Sequence, residues 1–248
     1  MIAVISPAKT LDYESALPPL SPTRPRLADA AASLAKSAAR LPQKRLRELM
    51  KISPALAKLN ADRFRDFDTA PERPAMFAFA GDVYSGLDAA SLDEAAIPFA
   101  QDHLRMLSGL YGLLRPLDAI RPYRLEMGTR WAPRHDKLTD WWGDRIAGLL
   151  AEDLAAEGSG IVLNLASQEY WAAVDDRLPQ GVRVIAVDFR DGDRFVSFHA
   201  KKARGMMARY LVEHHVADLD GMKAFDTAGC GYDPAASDDL RWSFRRAA

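Results

Sequence analysis

Short apolar runs alternating with longer stretches of helical periodicity constrain this chain most. Residues 2–5 form a β-branched run that stops at Ser6-Pro7, and residues 161–165 form another; both read as buried strands. Between them, Leu27, Ala31, Leu34 and Ala38 recur at helical spacing. Pro42 opens a second helix through Leu46, Leu49 and Met50, and Ser53-Pro54 supplies an N-cap and first-turn proline for a third. Residues 75–79 read as a short strand, and Ser91 with Glu94 reads as a capping box. Leu104, Leu107 and Leu110 mark a helix that ends near Ser108-Gly109, and a second apolar helical stretch restarts at Leu113-Leu114. Residues 139–154 predict the longest helix, carrying Trp142, Ile146, Leu149 and Leu150 on one side. Residues 182–189, the turn Asp191-Gly192 and residues 195–198 predict a β-hairpin, followed by a helix over 200–215. Strands interleaved with helices imply a mixed α/β (α+β) class, and no composition break divides the chain, so residues 1–248 are expected to form one domain.

A 248-residue chain that is 48% hydrophobic can bury a core of ordinary size, which excludes disorder as its overall state. One cysteine, Cys230, excludes an internal disulfide or a CxxC motif and fits a reducing compartment. No apolar stretch approaches ~18 residues, and the apolar start is too short for a secretory leader, so a cytoplasmic protein without membrane contact is expected.

Formal charge is −1, so affinity for a polyanion must come from uneven placement. Two segments supply it. Residues 199–210 hold Lys201, Lys202, Arg204 and Arg209 and no acid, a local +4. On a helix these share a face with Gly205, opposite Ala203, Met206, Met207 and Tyr210. A glycine there costs about 1 kcal/mol against alanine unless something approaches closely, either a phosphate or a packed neighbour. Residues 103–134 hold Arg105, Arg115, Arg121, Arg124, Arg130 and Arg134 against Asp118 and Glu126, again +4, leaving −9 for the remainder. If the two segments meet in space they line an electropositive cleft, and arginine suits bidentate phosphate contacts.

Within the second segment, residues 107–112 place Gly109 and Gly112 between two apolar stretches, resembling the helix-hairpin-helix element of DNA-repair proteins, with GxxG in place of GxG spacing. A tight helix–helix turn explains the same residues. No recognisable catalytic motif occurs: GxSxG, Walker A, GxGxxG and HExxH are all absent, and no metal site or cofactor is expected from His103, His135, His199, His214 and His215. Lys9, Asp82, Tyr84, Asp118, Glu126 and Glu169 lie beside strand ends or glycine turns, where active sites assemble, although each serves equally well as a cap or ion-pair partner.

Five stretches together resemble the YaaA family of bacterial peroxide-stress-resistance proteins: residues 6–12 (SPAKTLD), 81–84 (GDVY), 103–128, 164–170 (Asn164-Leu165-Ala166-Ser167 with Glu169-Tyr170), and 201–205 (KKARG). The resemblance spans nearly the whole chain. It implies a cytoplasmic protein of compact mixed α/β fold, a mixed sheet flanked by helices with a helix-hairpin-helix-like element, that protects cells from hydrogen peroxide, limits damage tied to free iron, and binds DNA through a positively charged cleft. The positions carried over by motif match are Lys9, Arg105, Gly109, Gly112, Arg115, Arg121, Arg124, Lys201, Lys202 and Arg204; the basic face adds Arg209.

Three functions follow as expectations. The first is sequence-tolerant binding of double-stranded or damaged DNA. The second is an enzyme acting on damaged DNA or a nucleotide, with Lys9, Asp82 and Asp118 near a cleft. The third is control of free iron through a protein partner.

Overall fold

The computed structural model describes residues 1–192 and 197–246. Its organising element is a seven-stranded sheet. In chain order the strands are β1 (Ile2–Ile5), β2 (Leu104–Ser108), β3 (Gly112–Leu114), β4 (Ile161–Leu165), β5 (Arg183–Asp191), β6 (Cys230–Tyr232) and β7 (Arg241–Arg246). Their spatial order is β6-β7-β5-β4-β1-β2-β3, with the inner five parallel and the two edge strands antiparallel. All of β1 is buried, as a parallel strand covered on both faces must be.

The helices are α1 (Ala28–Ala38), α2 (Gln43–Met50), α3 (Pro54–Arg65), α4 (Asp82–Leu87), α5 (Ala96–His103), α6 (Leu138–Trp142), α7 (Arg145–Glu157), α8 (Gln168–Trp171), α9 (Ser197–Glu213) and α10 (Leu219–Lys223). The expected cap of α3 is formed, and three other local expectations are corrected. Ser53 caps α3, its Oγ accepting from the Leu56 N–H. The helix expected over 139–154 is two helices, because Gly143 sits at φ +52° and breaks the run between Trp142 and Arg145. Ser91 closes a 3-10 turn against Asp88 rather than pairing with Glu94, so the capping box is not formed. Residues 75–78 make a helical turn, and only Phe79 and Ala80 pair as strand, with Leu11 and Thr10.

Two corrections matter for function. Residues 104–114 are not helical: β2 and β3 form an antiparallel β-hairpin, Ser108 opposite Gly112, so no helix-hairpin-helix element exists at 107–112. A strand buried on both faces shows no period of two, and its leucines at every third position imitate a helix. The hairpin expected after β5 is also not formed. Both neighbours of β5 are parallel, β4 and β7, and Ser197 already belongs to α9; residues 195–196 lie outside the described residues. Among the described residues no helix is long and apolar enough to cross a membrane.

From β1 the chain moves to β2 and β3 on one side, then returns to β4 on the other. The crevice between the carboxyl ends of β1 and β4 is therefore a topological switch point, where open α/β sheets commonly receive ligands.

Candidate functional site

The five motif stretches meet at this carboxyl edge. Ser6, one residue past β1, accepts a hydrogen bond at Oγ from the Ser167 N–H (2.9 Å), with the two hydroxyls 3.3 Å apart. The Tyr84 hydroxyl donates to the Ser6 carbonyl (3.1 Å), tying residues 81–84 to the same place, and burial pushes this phenol well above its ordinary pKa, fixing it as a donor. Lys9 lies 3.4 Å from the Glu126 carboxylate, and the Gly128 N–H donates to Glu169 Oε1 (3.2 Å). Residues 201–205 arrive on α9, which crosses α4 at a glycine–glycine contact. A Cβ on Gly205 would overlap the Val83 carbonyl and come 2.9 Å from the Leu87 nitrogen, and one on Gly86 would come 2.8 Å from the Met206 nitrogen. Gly205 is thus explained by a packed neighbour, not by a phosphate.

Four of the six arginines of the 103–134 segment are engaged internally. Arg105 is buried and bonds Asp153 through Nε (2.6 Å), and Arg26 reaches the same carboxylate through both terminal nitrogens (2.7 Å each). Burial alone would raise the pKa of Asp153, but the hydrogen bonds from Arg26 and Arg105 carry it below the usual carboxylate range. Arg115 holds Asp118 (2.9 Å), Arg121 holds Glu72 (2.9 Å) and Arg124 holds Glu126 (3.0 Å). Gly109 sits in the β2–β3 turn and Gly112 begins β3, both inside the molecule. A Cβ on Gly109 would overlap the Leu125 carbonyl, and Gly112, at φ +73°, faces Leu27 and Trp142. The Gly109 carbonyl takes the Trp142 indole N–H (3.0 Å), so this turn is a packing device. Arg130 and Arg134 are exposed, with no carboxylate within ion-pair distance among the described residues.

The 199–210 segment divides. Arg209 is tied to α4 and its cap through the Leu87 and Asp88 carbonyls (3.2 and 2.9 Å) and to Glu213 (3.1 Å). Lys201 and Lys202 are exposed, with no ion pair among the described residues. Arg204 is half-buried near Asp188, and its Nε is buried without a hydrogen-bond partner. Burial lowers its pKa while the Asp188 carboxylate pulls the other way; arginine remains charged at neutral pH.

Lys201 and Arg204 line a cavity of about 550 Å³ beside the switch point. β4 contributes Asn164, α8 and its cap contribute Ser167, Gln168, Glu169 and Trp171, β5 contributes Asp188, and β7 contributes Arg241. Asn164 pairs with Ala186 and Ala186 with Arg241, so Asp188 lies two residues further along the same face. Asp188 and Arg241 were not expected from sequence. The available signal was a charged residue in the middle of an alternating strand, where a carboxylate needs a reason to be. A smaller cavity of about 240 Å³ shares Ala200 and is lined by Arg190, Lys202 and Cys230. Burial raises the Cys230 thiol pKa, which keeps it protonated and unreactive.

Among the residues singled out as possible catalysts, Asp118 is fully buried and accepts from Thr23 Oγ1 (2.6 Å) and the Arg115 N–H (2.8 Å), a structural clamp. Asp82 stands in the first turn of α4. Glu126, held by Arg124, is the carboxylate beside Lys9. Among the described residues no three His, Cys, Asp or Glu side chains are grouped to hold a metal ion.

The sequence has full-length counterparts. A UPF0246 protein of Rhizorhabdus wittichii is 56% identical, covering 98% of each chain. One of Idiomarina loihiensis is 49% identical over all of this chain and 99% of its own. One of Hahella chejuensis is 46% identical over 99% of both. The family profile described as "Peroxide stress protein YaaA" matches residues 1–236. The chain belongs to the peroxide stress protein YaaA family.

Proposed function

We propose that this protein acts in peroxide stress by binding DNA at the carboxyl edge of its sheet, with Lys201, Lys202, Arg204 and Lys9 receiving the phosphodiester backbone. The observation that carries this role is the contrast in pairing. Lys201 and Lys202 are exposed without carboxylate partners at the edge where all five motif stretches meet, whereas Arg105, Arg115, Arg121 and Arg124 are matched to acids. Cations placed on phosphates expel the condensed counterions of the duplex. Ferrous iron held along the backbone is displaced with them, so binding itself limits iron-dependent damage by peroxide.

The test is fluorescence anisotropy of labelled duplex at low and high salt with the protein and its Lys201→Glu/Lys202→Glu variant. Saturable, salt-sensitive binding that the variant loses is expected. Equal binding by the variant rejects this edge as the DNA surface.

A further inference from the structure

The 550 Å³ cavity is larger and more polar than backbone binding needs. Phosphate recognition asks for cations on an open surface. This cavity adds an amide on β4, Asn164, a carboxylate on β5, Asp188, and an indole on α8, Trp171. Asn164 Oδ1 is used by the Ala166 N–H (3.0 Å), which orients the side chain and leaves its NH₂ without a protein partner among the described residues. Arg204 presents a buried Nε with no acceptor, a costly arrangement unless a ligand atom completes it.

We propose that this cavity is a nucleotide site: it takes one phosphate on Lys201 and Arg204 and reads a base edge with Asn164 and Asp188. Three features favour that ligand. First, the volume falls in the ~300–1,000 Å³ range of small-molecule sites, and the cavity lies on β4 beside the switch point, near where such ligands enter open sheets. Second, the lining charges nearly cancel, Lys201, Arg204 and Arg241 against Glu169 and Asp188. That balance suits a single phosphate; a triphosphate would bring more negative charge than the site can neutralise and would crowd two carboxylates. Third, an amide that donates and a carboxylate that accepts on one sheet face match the mixed donor and acceptor pattern of a base edge.

A nucleoside monophosphate and a nucleotide extruded from DNA carry the same recognition groups. The inference rests on the DNA-binding role only for the second source. The intact protein is titrated calorimetrically with each 2′-deoxynucleoside 5′-monophosphate, with deoxyribose 5-phosphate and with inorganic phosphate. In parallel, anisotropy compares a fully paired duplex with one carrying a single unpaired nucleotide. Asn164→Ala and Lys201→Gln serve as variants, each checked by thermal melting for intact folding.

At least one monophosphate is expected to saturate the site about tenfold more tightly than inorganic phosphate, and each variant to weaken it by about tenfold. A preference for the unpaired nucleotide that Asn164→Ala abolishes, while paired-duplex binding persists, assigns the extruded source. Saturation by a monophosphate without duplex binding supports the site and removes the DNA-binding role. Monophosphates that bind no better than phosphate, together with no preference for an unpaired nucleotide, overturn the inference even where duplex binding stands.

Discussion

The segments 103–134 and 199–210 carry the same net charge by count, +4, and use it differently. In the first, Arg105, Arg115, Arg121 and Arg124 each meet a carboxylate, and for Arg105 that partner is Asp153, 48 residues away in sequence. In the second, only Arg209 is consumed, while Lys201 and Lys202 stay in solvent. The paired cations are arginines, whose planar forks hold Asp153 and the backbone together; the exposed, unpaired ones are Lys201 and Lys202, with Arg130 and Arg134 at the end of the first segment. Charge along a chain predicts a field only after pairing in space is known.

Breaking the first region should cost most. Asp153→Asn leaves Arg105 buried without its counter-ion, and a loss of about 3–5 kcal/mol in denaturant-derived stability is expected. A loss under about 1 kcal/mol would place Arg105 with the free cations. Gly205→Ala forces α9 away from α4 and should cost about 1–3 kcal/mol or more, read as a lowered melting temperature. An unchanged melting temperature would mean that the glycine serves a visiting ligand after all.

The pH dependence sharpens the same contrast. The folded pKa of Asp153 lies below its ordinary 3.8, so its contribution to stability is fully present above that value and is lost as pH falls through the lower folded value. Acid titration of stability should therefore be shallower below about pH 4 in Asp153→Asn than in the parent. Identical curves would show that Arg26 and Arg105 do not hold this carboxylate in its charged form. The smallest stability effect belongs to Lys201→Gln/Lys202→Gln, expected within about 0.5 kcal/mol of the parent. A larger loss would reveal partners these lysines are not seen to have.

Legibility in the sequence followed the range of the interactions involved. Ser53-Pro54 announced α3 because a cap is local, and the apolar runs at 2–5 and 161–165 announced the central strands. Residues 104–114 misled because burial on both faces erases the alternation that marks a strand. The edge itself was visible only as scattered motifs. Ser6 and Ser167 are 161 residues apart, and nothing between them encodes their contact. Asp188 was overlooked inside an alternating strand, yet it lines the same cavity as Arg204.

The most direct test of the account is the salt dependence of duplex affinity in two double variants, Lys201→Gln/Lys202→Gln and Arg121→Gln/Arg124→Gln. Each lost phosphate contact removes about 0.9 from the slope of log affinity against log salt. The account predicts a slope reduced by about 1.8 in the lysine pair and unchanged in the arginine pair, both still folded. A reduced slope in the arginine pair with none in the lysine pair would contradict it.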